Sequence, residues 1–314
     1  MPDPPEIPAA GAGAAAELRA RVLAWYAGSA RDLPWRHPGR PDDLAWPVLV
    51  SEVMLQQTPV ARVEPVWRAW LERWPTPSAL AADPAGEAVR AWGRLGYPRR
   101  ALRLHAAATA VVERHGGRVP SDPVDLRALP GVGEYTAAAV GAFAFGQRVA
   151  VVDTNVRRVL ARAVQGRAQP APALTAPALT AAETALARAV LPEAPPDDPL
   201  LPPRWSVAVM ELGALVCTAR SPRCGACPVL DLCAWQRAGA PPDEGPVRRG
   251  QAWHGTDRQV RGRLLTLLRE TPGALDAAAL ATAWDDDAQR ARCLASLVED
   301  GLVVPADGGW SLPA

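Results

Sequence analysis

The sequence predicts an all-α protein that ends in a small α+β unit. Three observations carry that expectation. Helical patterning runs from about Ala16 to Phe145, with few β-branched alternating runs. Its breaks, at Pro34–Asp43, Trp74–Pro77, Gly116–Pro123 and Leu129–Gly133, hold the proline and glycine that punctuate helices. Strand character gathers only near the end, in GLVVPADGGWSLP, where two short runs flank Asp307-Gly308-Gly309.

The chain has 314 residues, enough for two or three domains with a real core. Lysine is absent, so all 34 basic residues are arginine. A net charge of +1 does not by itself mark a polyanion binder. The distribution says more: Arg90–Arg167 holds 13 arginines against five acids, a net of +8, and the rest of the chain carries −7. A basic centre suits a nucleic-acid footprint, and a scattered solvated surface fits the same counts. The N-terminus lacks the basic and apolar regions of a secretory leader, and no run of about 18 apolar residues occurs. A cytoplasmic protein with no membrane span is expected, and in that compartment disulfides are rare.

Taken in order, residues 1–16 read as a disordered tail. The stretch Leu44–Val63, LAWPVLVSEVMLQQTPVARV, is a helix that Pro47 can open and Pro59 can close. Its apolar residues leave almost no polar face, so it should be buried, yet it contains Glu52. A carboxyl group there is costly unless it is paired, protonated or facing a cleft. Further on, Leu129–Val140 (LPGVGEYTAAAV) sets Gly131, Val132 and Gly133 between two helices. The glycines allow a tight turn that exposes N–H groups, and the next helix N-terminus adds positive potential. Such a hairpin grips a DNA phosphate without reading sequence, although a plain helical turn has the same residues. In Val149–Leu160, Asp153 precedes a helix. It reads either as an N-cap or as a second carboxylate acting with Glu52.

Residues 168–203 form a Pro/Ala-rich insertion in which APALT occurs twice. Within it, Thr180 and Glu183 make a capping box ahead of a short helix. Helix resumes near Trp205, and a compact cysteine loop follows. Residues 239–254 read as a linker. Residues 255–314 then run helix, helix, helix, hairpin, which is the winged-helix order. Acids at the ends of its third helix weaken a DNA-reading role for that unit.

The cysteines give the strongest chemical signal. Cys217, Cys224, Cys227 and Cys233 are spaced C-x6-C-x2-C-x5-C. Four thiolates within 17 residues can wrap one metal ion or one cubane. Structural zinc usually takes two close pairs, and only one is present, which favours a [4Fe-4S] cluster. Cys293, on an apolar helix face, reads as a core thiol.

Six motifs together resemble the adenine DNA glycosylases of the MutY type, in the helix-hairpin-helix/Gly-Pro-Asp superfamily. They are RDLPWR (31–36), SEVMLQQT (51–58), RLGYPRRALRLH (94–105), LPGVGEYTA (129–137), VVDTNVRRVLAR (151–162) and ELGALVC with its following cysteines (211–233). The resemblance covers about residues 17–236 and implies a two-lobed core over 17–238. One lobe is a six-helix barrel, about 41–150. The other is a cluster lobe, about 17–40 plus 151–238. It implies that Glu52 is the catalytic acid and Asp153 the essential aspartate, with Tyr135 and Asn155 shaping the site. Arg36 matches a base-pocket contact. Gln57, Leu95 and Tyr97 match residues that enter the duplex, and Gly131, Val132 and Gly133 match the phosphate-gripping hairpin.

The implied substrate is double-stranded DNA containing an adenine mispaired with 8-oxoguanine or guanine, and a monomer is expected. The base must first be extruded. Adenine leaves poorly as an anion, and protonating a ring nitrogen, N7 in the family, lets it leave neutral. Burial among Val and Leu side chains is the direction that keeps a carboxyl group protonated. Bifunctional relatives use a hairpin lysine, where this chain has Tyr135. With no lysine anywhere, a lysine imine is impossible, so a monofunctional enzyme is expected. Pro98 and Val207 depart from the family pattern, and about 60 residues after the linker are too few for the Nudix-like domain of longer members. The alternatives are a thymine (T:G) mismatch glycosylase of the same superfamily and a cluster-containing DNA-binding module without chemistry.

Overall fold

The computed structural model describes residues 12–36, 44–170, 179–243 and 253–314. Most of the expected tail, the core of the APALT repeat and much of the linker lie outside them. In chain order the helices are α1 (Ala12–Ser29), α2 (Ala45–Leu55), α3 (Val60–Arg73), α4 (Pro77–Ala82), α5 (Ala85–Trp92), α6 (Arg99–His115), α7 (Pro123–Ala128) and α8 (Glu134–Phe145). Then come α9 (Thr154–Ala163), α10 (Ala181–Val190), α11 (Leu201–Leu215), α12 (Ala234–Arg237), α13 (Asp257–Glu270), α14 (Ala277–Ala281) and α15 (Asp287–Glu299). The strands β1 (Val304–Ala306) and β2 (Gly309–Ser311) form an antiparallel hairpin pairing Val304 with Ser311.

Helix α1 starts at Ala12, so residues 12–16 are helix rather than tail. The run AGAAA is mostly alanine, the best helix former, and it extends the helix backwards. Local chemistry sets many other ends. Thr76, Asp122 and Asp276 accept backbone N–H bonds as N-caps of α4, α7 and α14. The expected capping box forms around Thr180 and Glu183. Gly116 closes α6 at φ 60°, a left-handed cap that glycine adopts without strain.

The described residues fall into two compact units. One comprises the described residues 44–136 and 253–314, so the winged part shares a unit with α2–α7. Its core is a tryptophan cluster: Trp70 meets Trp74 and Trp92 edge-on, with centroids 4.8 and 5.6 Å away. Each buried indole withdraws roughly 150–250 Å² from water. The C-terminal part docks through backbone-directed bonds. Arg269 Nε donates to the Val89 carbonyl at 2.9 Å, Arg90 donates back to the Arg269 carbonyl, and Gly86 N–H reaches the Pro313 carbonyl at 2.7 Å. The acids at the ends of α15 are structural: Asp286 caps it and Asp300 pairs with Arg99 and Arg261.

The other unit comprises the described residues within 12–36 and 137–243. Helix α11 packs on both α1 and α9. Leu18, Val22, Val156, Trp205, Val209 and Leu212 belong to its core. Gly213 is required at the α9–α11 contact, because an added Cβ would lie 2.6 Å from Asn155 Cβ. The two units divide between Thr136 and Ala137, inside α8 and earlier than the barrel edge near 150 expected from the sequence.

Candidate active site and cluster loop

Glu52 sits in the middle of α2 and is 6% exposed, and every residue from Trp46 to Met54 is buried. The helix stops at Leu55, and the chain turns through Gln56 and Gln57. Gln57 has φ 54° and Tyr97 has φ 48°. Neither is glycine, and holding such a residue in the left-handed region costs on the order of 1–3 kcal/mol. Tyr97 is also 58% exposed. Strain therefore falls on two of the residues that the resemblance assigns to duplex entry. Gln56 Nε2 donates to Thr136 Oγ1 at 3.3 Å, which joins the end of α2 to the first turn of α8, beside half-buried Tyr135.

Two of the residues matched to DNA contacts have buried side chains. Leu95 is 3% exposed and packs inward from the α5–α6 loop. Its carbonyl accepts from Thr58 Oγ1 at 3.3 Å. Val132 N–H is taken by the Leu129 carbonyl at 3.1 Å, and its side chain is buried. Val132 thus pins the hairpin, leaving Gly131 and Gly133 as its exposed backbone. Gly131 sits at φ 79°, and a Cβ there would lie 2.8 Å from Arg103 Cβ.

In the other unit Asp153 is the N-cap of α9. Its oxygens accept from Val156 N–H and Asn155 Nδ2, both at 2.7 Å. Burial pushes the Asp153 carboxyl above its ordinary value, against those two hydrogen bonds and the nearby Arg158 charge. Asn155 Oδ1 accepts from Arg158 Nη2 at 2.7 Å. The same guanidinium donates to the carbonyls of Gly213 and Cys217, both at 2.7 Å. A hydrogen-bonded path therefore links Asp153 to the first residue of the cysteine loop.

The sequence reading missed Glu211. It is 1% exposed and bound by two arginines. Arg31 donates through its Nε and Nη2 at 2.8 Å and through its backbone N–H at 2.9 Å, and Arg36 Nη2 donates at 2.8 Å. Burial alone would raise the Glu211 carboxyl, but the bonds from Arg31 and Arg36 bring it down to about 2. Arg36 is thereby fixed, with its other terminal nitrogen on the Arg31 carbonyl and its charge 5.7 Å from the Tyr26 ring centroid. The two ends are 175 residues or more apart in sequence, and the available signal was that Arg31, Arg36 and Glu211 all fall in the recognised motifs.

Cys217, Cys224, Cys227 and Cys233 form no disulfides, and their sulfurs neighbour one another. Burial first, then those neighbours, push Cys227 up to about 11. With a single close pair in the C-x6-C-x2-C-x5-C spacing, the four sulfurs suit a cubane, which takes one thiolate per iron. Two donors point at the sulfurs: Arg162 Nη1 at 3.4 Å from Cys217 Sγ and Gln236 Nε2 at 3.1 Å from Cys224 Sγ. Arg223 Nε donates to the Leu215 carbonyl at 3.0 Å.

The two left-handed loops, the glycine hairpin and the cysteine loop define the class: a helix-hairpin-helix DNA glycosylase with a [4Fe-4S] cluster held by Cys217, Cys224, Cys227 and Cys233. Comparison with known proteins agrees. Residues 50–181 match the HhH-GPD superfamily of base excision DNA repair proteins, and residues 217–233 match the iron–sulfur binding domain of endonuclease III. A thermostable thymine-DNA glycosylase superposes with a TM-score of 0.60 at 26% identity, over 72% of this chain and 98% of its own. The adenine DNA glycosylase of Mycobacterium tuberculosis is 55% identical, covering 93% of this chain and 92% of the relative. That of Mycolicibacterium smegmatis is 53% identical, over 93% and 94%. The chain belongs to the adenine DNA glycosylase family. No helix among the described residues is long and apolar enough to cross a membrane.

Proposed function

We propose that this chain is a monofunctional glycosylase, acting as a monomer in the cytoplasm, that removes adenine mispaired with 8-oxoguanine or guanine in double-stranded DNA. One observation carries the reading: in a chain of this family, a carboxyl group 6% exposed stands on a helix with every neighbouring position buried. A group so placed serves as an acid, not as a surface charge.

In this reading Gln57 and Tyr97 enter the duplex as the adenine leaves the stack. The hairpin of Gly131 and Gly133 holds a phosphate through its backbone. Glu52 gives its proton to N7 of the extruded base, so the electrons of the breaking glycosidic bond leave with a neutral adenine. Positive charge then develops on the sugar, and Asp153 stabilises it as a carboxylate held in place by Val156 N–H and Asn155. Water completes the hydrolysis and leaves an abasic site. Arg36, held by Glu211, borders the base pocket. The cluster, when bound, supplies structure to the 217–233 loop and takes no part in the hydrolysis.

The test is single-turnover base release from A:8-oxoguanine, A:G, T:G and A:T duplexes, with borohydride present in a parallel series. Release from the first two, with no trapped lysine adduct, is the expected result. Preferential release of thymine from T:G overturns the substrate, and a strong trapped adduct overturns the monofunctional mechanism.

A further inference from the structure

Arg100 is 6% exposed, and its guanidinium is committed to backbone from two separate loops. Nη1 donates to the carbonyls of Val53 at 2.8 Å, Met54 at 3.1 Å and Gln56 at 2.6 Å. Nη2 donates to Thr58 Oγ1 at 2.9 Å and to the Gly96 carbonyl at 3.1 Å. The first set lies at the C-terminal end of α2, where carbonyls have no partner within the helix. The Gly96 bond belongs to the turn before Tyr97. The cation also lies 5.2 Å from the Trp92 ring centroid and 5.4 Å from that of Tyr97. Burial brings its pKa down to about 10, so it is charged at neutral pH.

These contacts bracket the two left-handed residues singled out above. Gln57 lies between two of the acceptors, Gln56 and Thr58, and Tyr97 directly follows a third, Gly96. The fork of one guanidinium thus ties both strained turns to the end of the helix that carries Glu52. We propose that Arg100 is a positioning residue for base extrusion, holding the Gln57 and Tyr97 turns preformed in their left-handed conformations. This rests on the reading of Gln57 and Tyr97 as duplex-entering side chains. Lysine cannot replace it: a single ammonium has three donors from one nitrogen and no planar fork to span the two turns.

The experiment uses the full chain with Glu52→Gln, introduced to slow base release, and a duplex with 2-aminopurine beside the mispaired adenine. Adding Arg100→Lys should remove most of the fluorescence rise that reports extrusion. Arg100→Lys alone should slow single-turnover base release by about 10²-fold, the scale expected of a small misplacement. An unchanged fluorescence rise with slowed release overturns the proposal, because Arg100 would then act on the Glu52 helix alone. Unchanged values for both overturn it too. Thr58→Val, which removes one acceptor, should give a smaller loss in the same direction, and it decides the matter if Arg100→Lys does not fold. Gln57→Ala and Tyr97→Ala, each with Glu52→Gln, test the underlying reading separately: if both keep the full fluorescence rise, that reading fails whatever Arg100→Lys does.

Discussion

Glu52 and Asp153 are both withdrawn from water, but by different means. Glu52 stands mid-helix on α2, where the buried positions are mostly valine, leucine and methionine, with Ser51 beside it. Asp153 is withdrawn into polar company, its oxygens accepting a backbone N–H and an amide at 2.7 Å. The first setting suits a group that surrenders a proton. The second suits a group that keeps its charge at a fixed point. Burial still pushes the Asp153 carboxyl up, and an arriving positive sugar offsets that directly. Depth alone does not assign a role to a carboxyl group.

The contrast breaks most sharply at Glu52. Glu52→Gln keeps volume and burial and removes the acid, so release of adenine from an A:8-oxoguanine duplex should fall by on the order of 10²–10⁴. Duplex affinity should stay within a few-fold by gel shift, and a release rate within tenfold of the parent would end the general-acid role. Asp153→Asn comes next, with a loss on the order of 10²–10³ in the same assay. Asparagine caps a helix as well as aspartate does, so the fold is kept. With its folded pKa raised, Asp153 contributes stability at low pH that is lost as pH rises through that value. The neutral variant should therefore melt at or above the parent temperature at neutral pH, and a drop of many degrees would make the residue structural first.

Glu211 gives the smallest expected effect on chemistry and the clearest one on stability. Its carboxyl is lowered to about 2, so its contribution is full above about 4.5 and is lost as pH falls toward 2. Glu211→Gln strands two arginines and should cost about 3–5 kcal/mol at neutral pH. It should also flatten the acid limb of a melting-temperature profile between those two values. An acid limb identical to the parent's would show that the ion triad does not stabilise the fold.

Much of this was legible in the sequence because it is local. The buried α2, the Thr180 capping box, the cysteine spacing and the helix–hairpin order of the C-terminal part each follow from neighbours in the chain. What stayed hidden depends on distant partners or on backbone strain. The Glu211 triad joins residues on α11 to the turn after α1. Arg100 reads as one basic residue in a basic stretch until the fold wraps two turns around it. Leu95 and Val132 sit in functional motifs yet face inward, because a loop that presents one residue needs another to anchor it. Left-handed Gln57 and Tyr97 give no warning either, since neither is the glycine that normally marks such a backbone.

The way residues 253–314 fasten to α5 bears on how the enzyme can be trimmed. Arg90 and Arg269 each cap main-chain oxygen across that seam, and Gly86 is bare because the Pro313 carbonyl occupies the space a side chain would need. A fragment stopping at the end of the cysteine loop would keep every group named in the chemistry. It would also leave Arg90, Val89 and Gly86 without the partners they have in that part of the chain, so the smallest piece able to release a base is larger than the motifs alone would draw it.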